Sequence, residues 1–400
     1  MISTRTVPNH VAPEQIFDFD IYADPRITAD VQGSYAEVLK DAPDLFFTPA
    51  NGGHWIVRRL DLILGIVKDS EHFSTREQQI PRVLSPPLLI PLSLDPPGNF
   101  AYRQVLMPKF SASAIQALEP KLRYWAKLLI DEVVKNGACD FSHDIAARYP
   151  VSVFMELMGM PHDRLREFHA LACSFFEART EAEFAHVVPE IHRVMGNLIS
   201  LRSRQPGDDL VSHLLSVEVH GRKLTLDEMQ SMCFLLFLGG MDTVANVAGF
   251  TYQQLAHDVA LQQRLSAEPV LIPHFVEEAL RMYGVVSNPR IVAQDCERFG
   301  VAFREGDMVL CVLAMGGRDD RVNNNPNVFN IDRPQRSHIA FSSGPHVCLG
   351  HILARAELRI LTEEWLKRIP TFHAAPGARH KYRLGCVNAL ESLPLQWSTA

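Results

Sequence analysis

The pattern of apolar and polar positions predicts a mainly helical chain with small β-sheets, that is, an α+β protein. From residue 98 to 215 apolar residues recur at helical spacing, which indicates several consecutive amphipathic helices. Breaks between them are expected at Gly137, Pro150, Pro161 and Gly207. Residues 45–59 contain two β-rich runs joined by Asn51-Gly52-Gly53, a hairpin signal. Residues 286–313 predict a second small sheet, and LPLQW near the end predicts a further strand.

One long segment is apolar on nearly all sides. Thr225 and Glu228 form a capping-box pattern, and the helix that they open should continue to about Asp258. A helix without a polar face must run through the core. Its middle contains an unusual group, Gly239, Gly240, Asp242 and Thr243. Two glycines and a carboxylate are costly in a buried helix. They indicate either a functional site or a kink for close packing, with Asp242 paired to a distant arginine.

A second unusual stretch, FSSGPHVCLG, precedes the last long helix. We call Phe341–Gly350 the ligand loop, because it places Cys348 between glycines and a histidine. Gly344 and Gly350 allow a turn and a close approach to a flat ligand. The helix that follows should end at Pro370, so Cys348 lies just before a helix N-terminus, where a thiolate is favoured. The alternative is a buried structural cysteine beside a turn.

Two irregular segments frame the N-terminal sheet. Residues 1–30 are weakly patterned and predict an extended arm over the body of the protein. Residues 80–97 are apolar but interrupted by six prolines, which excludes a helix or a central strand. Such a loop either lines a cavity or is held on the core for packing alone.

Composition and charge narrow the class of protein. A net charge of −7 argues against nucleic acid as a partner, because phosphate binding needs a cationic face. Seven scattered cysteines make a disulfide framework unlikely and favour a reducing cytoplasm. Neither a signal peptide nor a membrane-spanning apolar run is evident. We therefore expect a soluble, monomeric, cytoplasmic protein in which residues 1–400 form one domain.

The ligand loop resembles the haem-binding loop of the cytochrome P450 family through Phe341, Gly344, His346, Cys348 and Gly350. The resemblance implies a fold in which haem b lies between this loop and the long central helix, with Cys348 as the thiolate ligand of the iron. It covers nearly the whole chain, because further motifs follow in the family's order.

The same resemblance implies roles for six residues in binding the haem or oxygen. His346, Arg290 and Arg103 match positions that bind the haem propionates. Many relatives have a histidine four residues before Arg103, where this chain has Asn99, so one propionate contact is expected to be weaker or supplied otherwise. On the opposite side, Gly240 would belong to the oxygen-binding groove. Asp242 would relay protons, and Thr243 would bond a carbonyl one turn back and hold a water.

A charged pair one helical turn apart, Glu278 and Arg281, is usually a solvated surface bridge. Here it resembles the family's Glu-x-x-Arg motif, which together with a later arginine stabilises the scaffold of the haem loop. Arg333 occupies the place of that third residue.

The segments GGMDTVAN, SLDPP and CLGHILAR resemble the soluble bacterial camphor-hydroxylase subgroup. Camphor itself is a doubtful substrate, because Pro87 stands where that subgroup has a ketone-binding tyrosine. An ionone-like norisoprenoid is favoured instead. The apolar pocket walls are expected to be Pro87, Ile90, Leu92, Leu235, Leu238, Val286 and Val387.

The resemblance implies a monooxygenase that uses O2 and electrons from a [2Fe-2S] ferredoxin and its reductase. No dinucleotide-binding fingerprint or flavin domain is evident in the chain. Four arginines would form a positive docking patch near Cys348: Arg103, Arg336, Arg355 and Arg359. The alternatives are a haem-thiolate sensor or binding protein and a peroxide-using enzyme. Asp242 and Thr243 argue against both.

Overall fold

The computed structural model describes residues 7–27, 31–83, 85–378 and 380–399. Its helices dominate, as the sequence predicts. Within the described residues the α-helices are α1 Val31–Val38, α2 Leu60–Lys68, α3 Phe100–Leu106, α4 Ala112–Val133, α5 Tyr149–Met158, α6 Leu165–Glu177, α7 Glu181–Arg204, α8 Leu210–Ser216, α9 Leu226–Met241, α10 Thr243–Ala256, α11 Val259–Ala267, α12 Ile272–Met282, α13 Leu313–Gly317 and α14 His351–Arg368.

Short strands surround this helical body. They are β1 Leu45–Thr48, β2 His54–Val57, β3 Phe73–Ser74, β4 Ala138–Asp140, β5 Glu218–Val219, β6 Arg222–Lys223, β7 Ser287–Val292, β8 Cys296–Arg298, β9 Val301–Phe303, β10 Met308–Val312, β11 His373–Ala374, β12 Lys381–Arg383, β13 Ala389–Ser392 and β14 Pro394–Gln396.

The predicted hairpin at Asn51-Gly52-Gly53 is confirmed, since β1 and β2 pair antiparallel with Leu45 opposite Val57. The prediction of two separate sheets is correct only in part, because β8 and β9 pair with each other alone whereas β7 and β10 join the N-terminal strands. The strands form one five-stranded sheet in the order β1-β2-β10-β7-β3, and β10 pairs parallel to β2. All five residues of β10 are buried, which suits a strand at the centre of a sheet.

The C-terminal strand prediction is also confirmed. β14 pairs with β11 and with β4, a strand that the helical pattern of residues 98–215 did not indicate. The described part of the arm lies along β1, where the Phe17 amide donates to the Phe47 carbonyl at 3.0 Å. Residues 1–6 and 28–30 of the predicted arm, and Leu84 of the proline-rich loop, lie outside the described residues.

The central helix is not continuous, in contrast to the prediction. The capping box at Thr225 and Glu228 is present, but α9 ends at Met241 and α10 begins at Thr243. Asp242 stands between them with φ −132° and ψ −37°. The Thr243 hydroxyl donates to the Gly239 carbonyl at 3.1 Å, a side-chain bond that competes with the regular ladder. Glycines just before it lower the cost of the break.

The segment Leu226–Ala256 is long and apolar enough to cross a membrane by length and composition alone. In this protein 67% of its most apolar window is buried inside the fold. Its apolar character is therefore accounted for by its place in the core, between α5, α6 and α7 on one side and α14 on the other.

Candidate active site

A cavity of about 430 Å³ separates the ligand loop from the break in the central helix. Its wall is mostly apolar and comes from α5, α6, α7, α9, α10 and α14, from the ligand loop and from the proline-rich segment. His346 and Cys348 line one side, and Gly239 and Thr243 line it as well. The two unusual stretches of the sequence thus meet at one cavity.

The ligand loop is a tight turn that presents its cysteine. The Cys348 amide donates to the Phe341 carbonyl at 2.9 Å, which closes the loop. Gly344 has φ +71°, and a Cβ there would lie 3.4 Å from the Val67 carbonyl oxygen. Gly350 has an ordinary φ of −80° and caps α14. A side chain is therefore disfavoured at Gly344 by the positive φ, whereas Gly350 keeps open room beside the Cys348 sulfur.

The Cys348 side chain is exposed, but the space that it faces is the cavity. Burial among protein atoms raises the pKa of the Cys348 thiol, while the Gly350 amide and the positive charges of Arg103 and Arg355 lower it. The net shift is upward. The stabilisation of the thiolate near the helix N-terminus, which the sequence predicts, is thus present. Desolvation of the sulfur has the larger effect on the pKa and favours the thiol, unless a cation binds the sulfur.

Cationic and donor groups converge on the same cavity. The Arg103 guanidinium donates to the Val347 carbonyl at 2.7 Å, and that of Arg290 donates to the Pro289 carbonyl at 2.7 Å. Among the described residues, no carboxylate lies within 4 Å of either guanidinium. His346 Nδ1 is buried and has no described partner. These groups suit a bound molecule that carries carboxylates.

Burial, with the charges of Arg290 and Arg103, lowers the pKa of His346 to about 4. The imidazole is therefore neutral near pH 7 and can donate one hydrogen bond. Asn99, which replaces the expected histidine, is buried and lies 3.5 Å from the Pro345 carbonyl through Nδ2. It does not line the cavity and instead contacts the backbone of the ligand loop.

Asp95 links the proline-rich segment to the ligand loop. Its Oδ1 accepts from the Thr75 amide at 3.0 Å and from the Thr75 hydroxyl at 3.2 Å, and its Oδ2 accepts from Ser74. The Thr75 hydroxyl lies 3.2 Å from His346 Nε2. Residues 75–95, which we call the cavity loop, are therefore closed at their base by one carboxylate.

Gly239 and Gly240 both line the cavity, but they have different surroundings. A Cβ on Gly240 would lie 2.0 Å from the Phe154 ring, so this glycine accommodates packing. No atom lies within 4 Å of a Cβ built on Gly239, which lines the cavity. Gly239 also supplies the carbonyl that accepts from Thr243. The open groove beside Thr243 is therefore formed at Gly239.

Asp242 does not reach the cavity. Its carboxylate is buried, and Oδ2 accepts from Arg383 at 2.6 Å. Oδ1 lies 3.9 Å from the Cys173 sulfur. The alternative noted from the sequence, a pairing of Asp242 with a distant arginine, is the arrangement observed. Any proton transfer by Asp242 requires its side chain to leave Arg383.

Five of the seven predicted pocket residues line the cavity: Leu92, Leu235, Leu238, Val286 and Val387. Pro87 and Ile90 do not. Ser231 explains the difference, because its hydroxyl accepts from the Ile90 amide at 2.8 Å and donates to the Leu88 carbonyl at 2.6 Å. This pair of bonds holds the segment against α9, and Leu89 and Pro91 line the cavity in place of their neighbours.

One part of the wall, which is aromatic, was not predicted from the sequence. It consists of Phe154, Phe175, Phe176 and Phe184 from α5, α6 and α7, together with Tyr22 of the arm. Phe175 contacts Phe184 edge-on with ring centroids 5.5 Å apart. The only signal in the sequence is the adjacent pair Phe175-Phe176 at the end of an amphipathic helix.

Glu278, Arg281 and Arg333 are brought together in the core. Arg281 binds the Glu278 carboxylate through two bonds of 2.7 and 2.9 Å, and both side chains are fully buried. Arg333 Nε adds a bond of 3.3 Å to the same carboxylate. Arg281 also donates to the carbonyls of Gly317 and Pro326 at 2.7 and 2.8 Å. The cluster joins α12 to the segment that leads into the ligand loop.

The predicted arginine patch is wrong, because most of its charges are neutralised. Arg355 is paired with Glu277, and Arg359 with Glu119 and Glu363. Arg336 is largely buried and donates to the Ile331 carbonyl. Arg103 lines the cavity.

A cysteine loop faces a broken core helix across an apolar cavity, with Arg290 buried and Arg103 partly buried at its edge, and this arrangement indicates a haem-thiolate oxygenase. The cytochrome P450 family model matches residues 152–371. A probable cytochrome P450 127A1 of Sinorhizobium fredii is 30% identical over 99% of this chain and 98% of its own length.

Two solved structures extend the comparison. That of CYP101J2 has a TM-score of 0.89 at 33% identity and covers 98% of this chain and 99% of its own. That of CYP101C1 has a TM-score of 0.88 at 32% identity and covers 98% and 100%. The chain belongs to the cytochrome P450 family, within the bacterial camphor-hydroxylase-like subgroup, and is a monooxygenase whose cofactor is haem b.

The residues at the cavity fit this cofactor. A cysteine sulfur faces the open space, and two guanidinium groups and the orphaned His346 nitrogen surround it without an anionic partner among the residues described. The open face of Gly239 leaves room on the opposite wall. A porphyrin with two carboxylates and a metal that accepts a thiolate would satisfy the sulfur and the two guanidinium groups, and it would satisfy His346 Nδ1 when the imidazole proton is on that nitrogen.

Proposed function

We propose that this chain is a cytoplasmic, monomeric, ferredoxin-dependent monooxygenase, in which residues 1–400 form one catalytic unit that hydroxylates a small terpenoid ketone. The observation that carries the substrate class is the apolar cavity between Cys348 and Thr243. An ionone-sized norisoprenoid, hydroxylated on its ring or on a ring methyl, suits these walls.

The proposal assigns roles to several of the residues that line the cavity. Cys348 binds the iron, and Arg103, Arg290 and His346 bind the propionates. When bound, the haem supplies the iron at which dioxygen is cleaved, with one oxygen atom placed in a C–H bond and the other released as water. Phe175, Phe176 and their aromatic neighbours exclude water from the substrate.

Thr243 is proposed to hold a water on the distal side of the cavity. Its hydroxyl proton is used by the Gly239 carbonyl, so its oxygen lone pairs are free to accept from that water. This water would hold a proton close to the place where dioxygen is cleaved, so that the proton can be transferred during the reaction. Asp242 would renew that proton after its side chain leaves Arg383.

Replacing Thr243 by alanine should retain haem and substrate binding but lower product per NADH about tenfold, with hydrogen peroxide released instead. Product and peroxide are measured together in the reconstituted system. Thr251→Ala is the matched control, because the Thr251 hydroxyl makes the same bond to the Val247 carbonyl, at 2.6 Å, without lining the cavity. Equal coupling in both variants would show that Thr243 has no such role.

We expect the substrate to be selected mainly by the fit of its shape to the cavity and by the apolar surface that it buries there, with few hydrogen bonds. No tyrosine takes the place of Pro87, and the Tyr22 hydroxyl is used by the Ile80 carbonyl. Losing one hydrogen bond costs about 0.5–1.5 kcal/mol. At about 25 cal/mol per Å², roughly 40 Å² of additional apolar contact offsets that loss.

We therefore expect β-ionone to bind about fivefold or more tightly than camphor, a difference of about 1 kcal/mol. Titration of each compound against the haem absorption spectrum measures this directly. Gln79 lines the cavity, and its Oε1 accepts from the Gln78 amide at 3.3 Å, which leaves Nε2 to donate to a ketone. Gln79→Leu should weaken β-ionone but not its hydrocarbon analogue. Tighter binding and cleaner turnover of camphor would refute the proposed preference.

The ferredoxin is proposed to dock where α3 and α2 meet the ligand loop. α3 contacts the loop through the Arg103 bond to Val347 and presents Phe100, which is 53% exposed. Lys68 at the end of α2 lies beside Gly344, and its exposed side chain makes no ion pair with a described residue. This surface offers apolar contact and one free positive charge to an acidic partner.

Lys68→Glu should lower kcat/KM for ferredoxin about tenfold at low salt, and added salt should reduce the difference between variant and native protein. Steady-state turnover at varied ferredoxin concentration gives both results. Lys135→Glu is the control, because that exposed lysine follows the far end of α4, about 30 Å along the helix from α3. An equal effect of both changes would place the docking surface elsewhere.

A further inference from the structure

A cluster of metal-ligating side chains lies behind the break in the central helix, away from the cavity. His169 and Cys173 are one turn apart on α6, and Asp242 stands between α9 and α10. Cys173 Sγ lies 3.7 Å from His169 Nε2 and 3.9 Å from Asp242 Oδ1. All three ligand atoms lie within 4.8 Å of one another.

These separations are close to those of a tetrahedral zinc site. With bonds of about 2.3 Å to sulfur and 2.0–2.1 Å to nitrogen or oxygen, tetrahedral angles place the sulfur about 3.5 Å from each other ligand. Shifts of a few tenths of an ångström would bring the two distances to sulfur to that value, and the His169 and Asp242 ligand atoms, which lie within 4.8 Å of each other, would have to come to about 3.4 Å. A sulfur, an imidazole and a single carboxylate select Zn²⁺ over Mg²⁺ or Ca²⁺, which prefer oxygen ligands.

The Asp242 carboxylate is already oriented as a metal ligand. Arg383 holds Oδ2 at 2.6 Å, so Oδ1 is the oxygen that faces Cys173. In metal sites, hydrogen bonds from neighbouring residues commonly hold the metal-binding side chains in the orientation that coordination needs. His169 and Cys173 are each partly exposed, which provides a path by which an ion enters.

We propose that His169, Cys173 and Asp242 bind Zn²⁺, with water as the fourth ligand. The ion would join α6, which carries Phe175 and Phe176 on the cavity wall, to the break in the central helix. None of the three residues lines the haem cavity, although Asp242 is also the proposed source of protons for it, and zinc occupancy is measurable without turnover.

Zinc binding is tested on the haem-loaded protein by calorimetric titration with Zn²⁺ alone and by zinc X-ray absorption. The proposal expects one equivalent, with one sulfur at about 2.3 Å and nitrogen or oxygen at 2.0–2.1 Å. Cys173→Ser and His169→Gln should each weaken binding at least about tenfold, and Cys173→Ser should remove the sulfur signal. Excess Mg²⁺ should not compete.

Cys296→Ser and His186→Gln are the matched controls, because each removes a partly or fully exposed residue of the same type that belongs to no such cluster among the described residues. Both should bind zinc as the native protein does. His169→Gln alone decides the matter if Cys173→Ser does not fold. No zinc uptake, uptake without a sulfur ligand, or affinity unchanged by either cluster variant would overturn the proposal.

Discussion

Cys348→Ser should abolish monooxygenase activity and the strongly red-shifted band that a thiolate ligand gives the ferrous carbon monoxide complex. The sulfur of Cys348 faces the cavity from a loop closed by its own amide bond to Phe341. A serine hydroxyl fits the same space, but it is a far weaker electron donor to iron than a thiolate. The loop should therefore keep its shape while the ligand changes.

Cys386 provides the matched control, because its side chain also lines the cavity. Its sulfur lies 3.6 Å from the Tyr22 hydroxyl, in the wall formed by the arm. Cys386→Ser should retain the shifted band and turnover. A shifted band in Cys348→Ser, or its loss in Cys386→Ser, would contradict the assignment of the ligand.

Arg281→Ala should destabilise the protein by about 3–5 kcal/mol, because it leaves the fully buried Glu278 carboxylate without its main partner. It also removes the donor to the carbonyls of Gly317 and Pro326. Urea unfolding followed by circular dichroism measures the loss. The haem should also dissociate more readily, since the cluster supports the chain leading to the ligand loop.

Arg264→Ala tests whether burial causes this effect. Arg264 makes an equally good two-bond pair with Asp332, at 2.6 and 2.7 Å, but both side chains are exposed. Removing an exposed pair costs about 0–1 kcal/mol. If the two arginine variants unfold at the same urea concentration, the Glu278 cluster does not have the structural importance assigned to it.

Local chemistry made the ligand loop predictable and marked Gly239–Thr243 as unusual, although the apolar pattern predicted one continuous helix there. The glycine positions around Cys348 and the short reach of Thr243 to a carbonyl one turn back depend only on neighbouring residues. The different surroundings of Gly239 and Gly240 could not be read from the sequence. Adjacent helical residues point about 100° apart, and only the position of Phe154 shows which glycine faces open space.

Long-range pairings could not be predicted in the same way. β10 pairs with β2 across about 250 residues, and nothing in either strand specifies that neighbour. The arginine patch failed for the same reason, since Glu277 and Glu119 come from distant helices to neutralise Arg355 and Arg359. A sequence shows where arginines could form a positive surface, but the acidic residues that pair with them in the fold determine whether that surface is positive.

The closure of the cavity loop by Asp95 has a consequence for how this protein can evolve. Its ends are held by bonds to Thr75 and Ser74, while Gln79, Leu89 and Leu92 line the cavity between them. Residues within the loop can be exchanged by successive mutations while the carboxylate keeps the base, and with it His346, in place. Selection can thus alter which molecule is accepted without rebuilding the oxygen chemistry, so new specificities can arise from an unchanged catalytic centre.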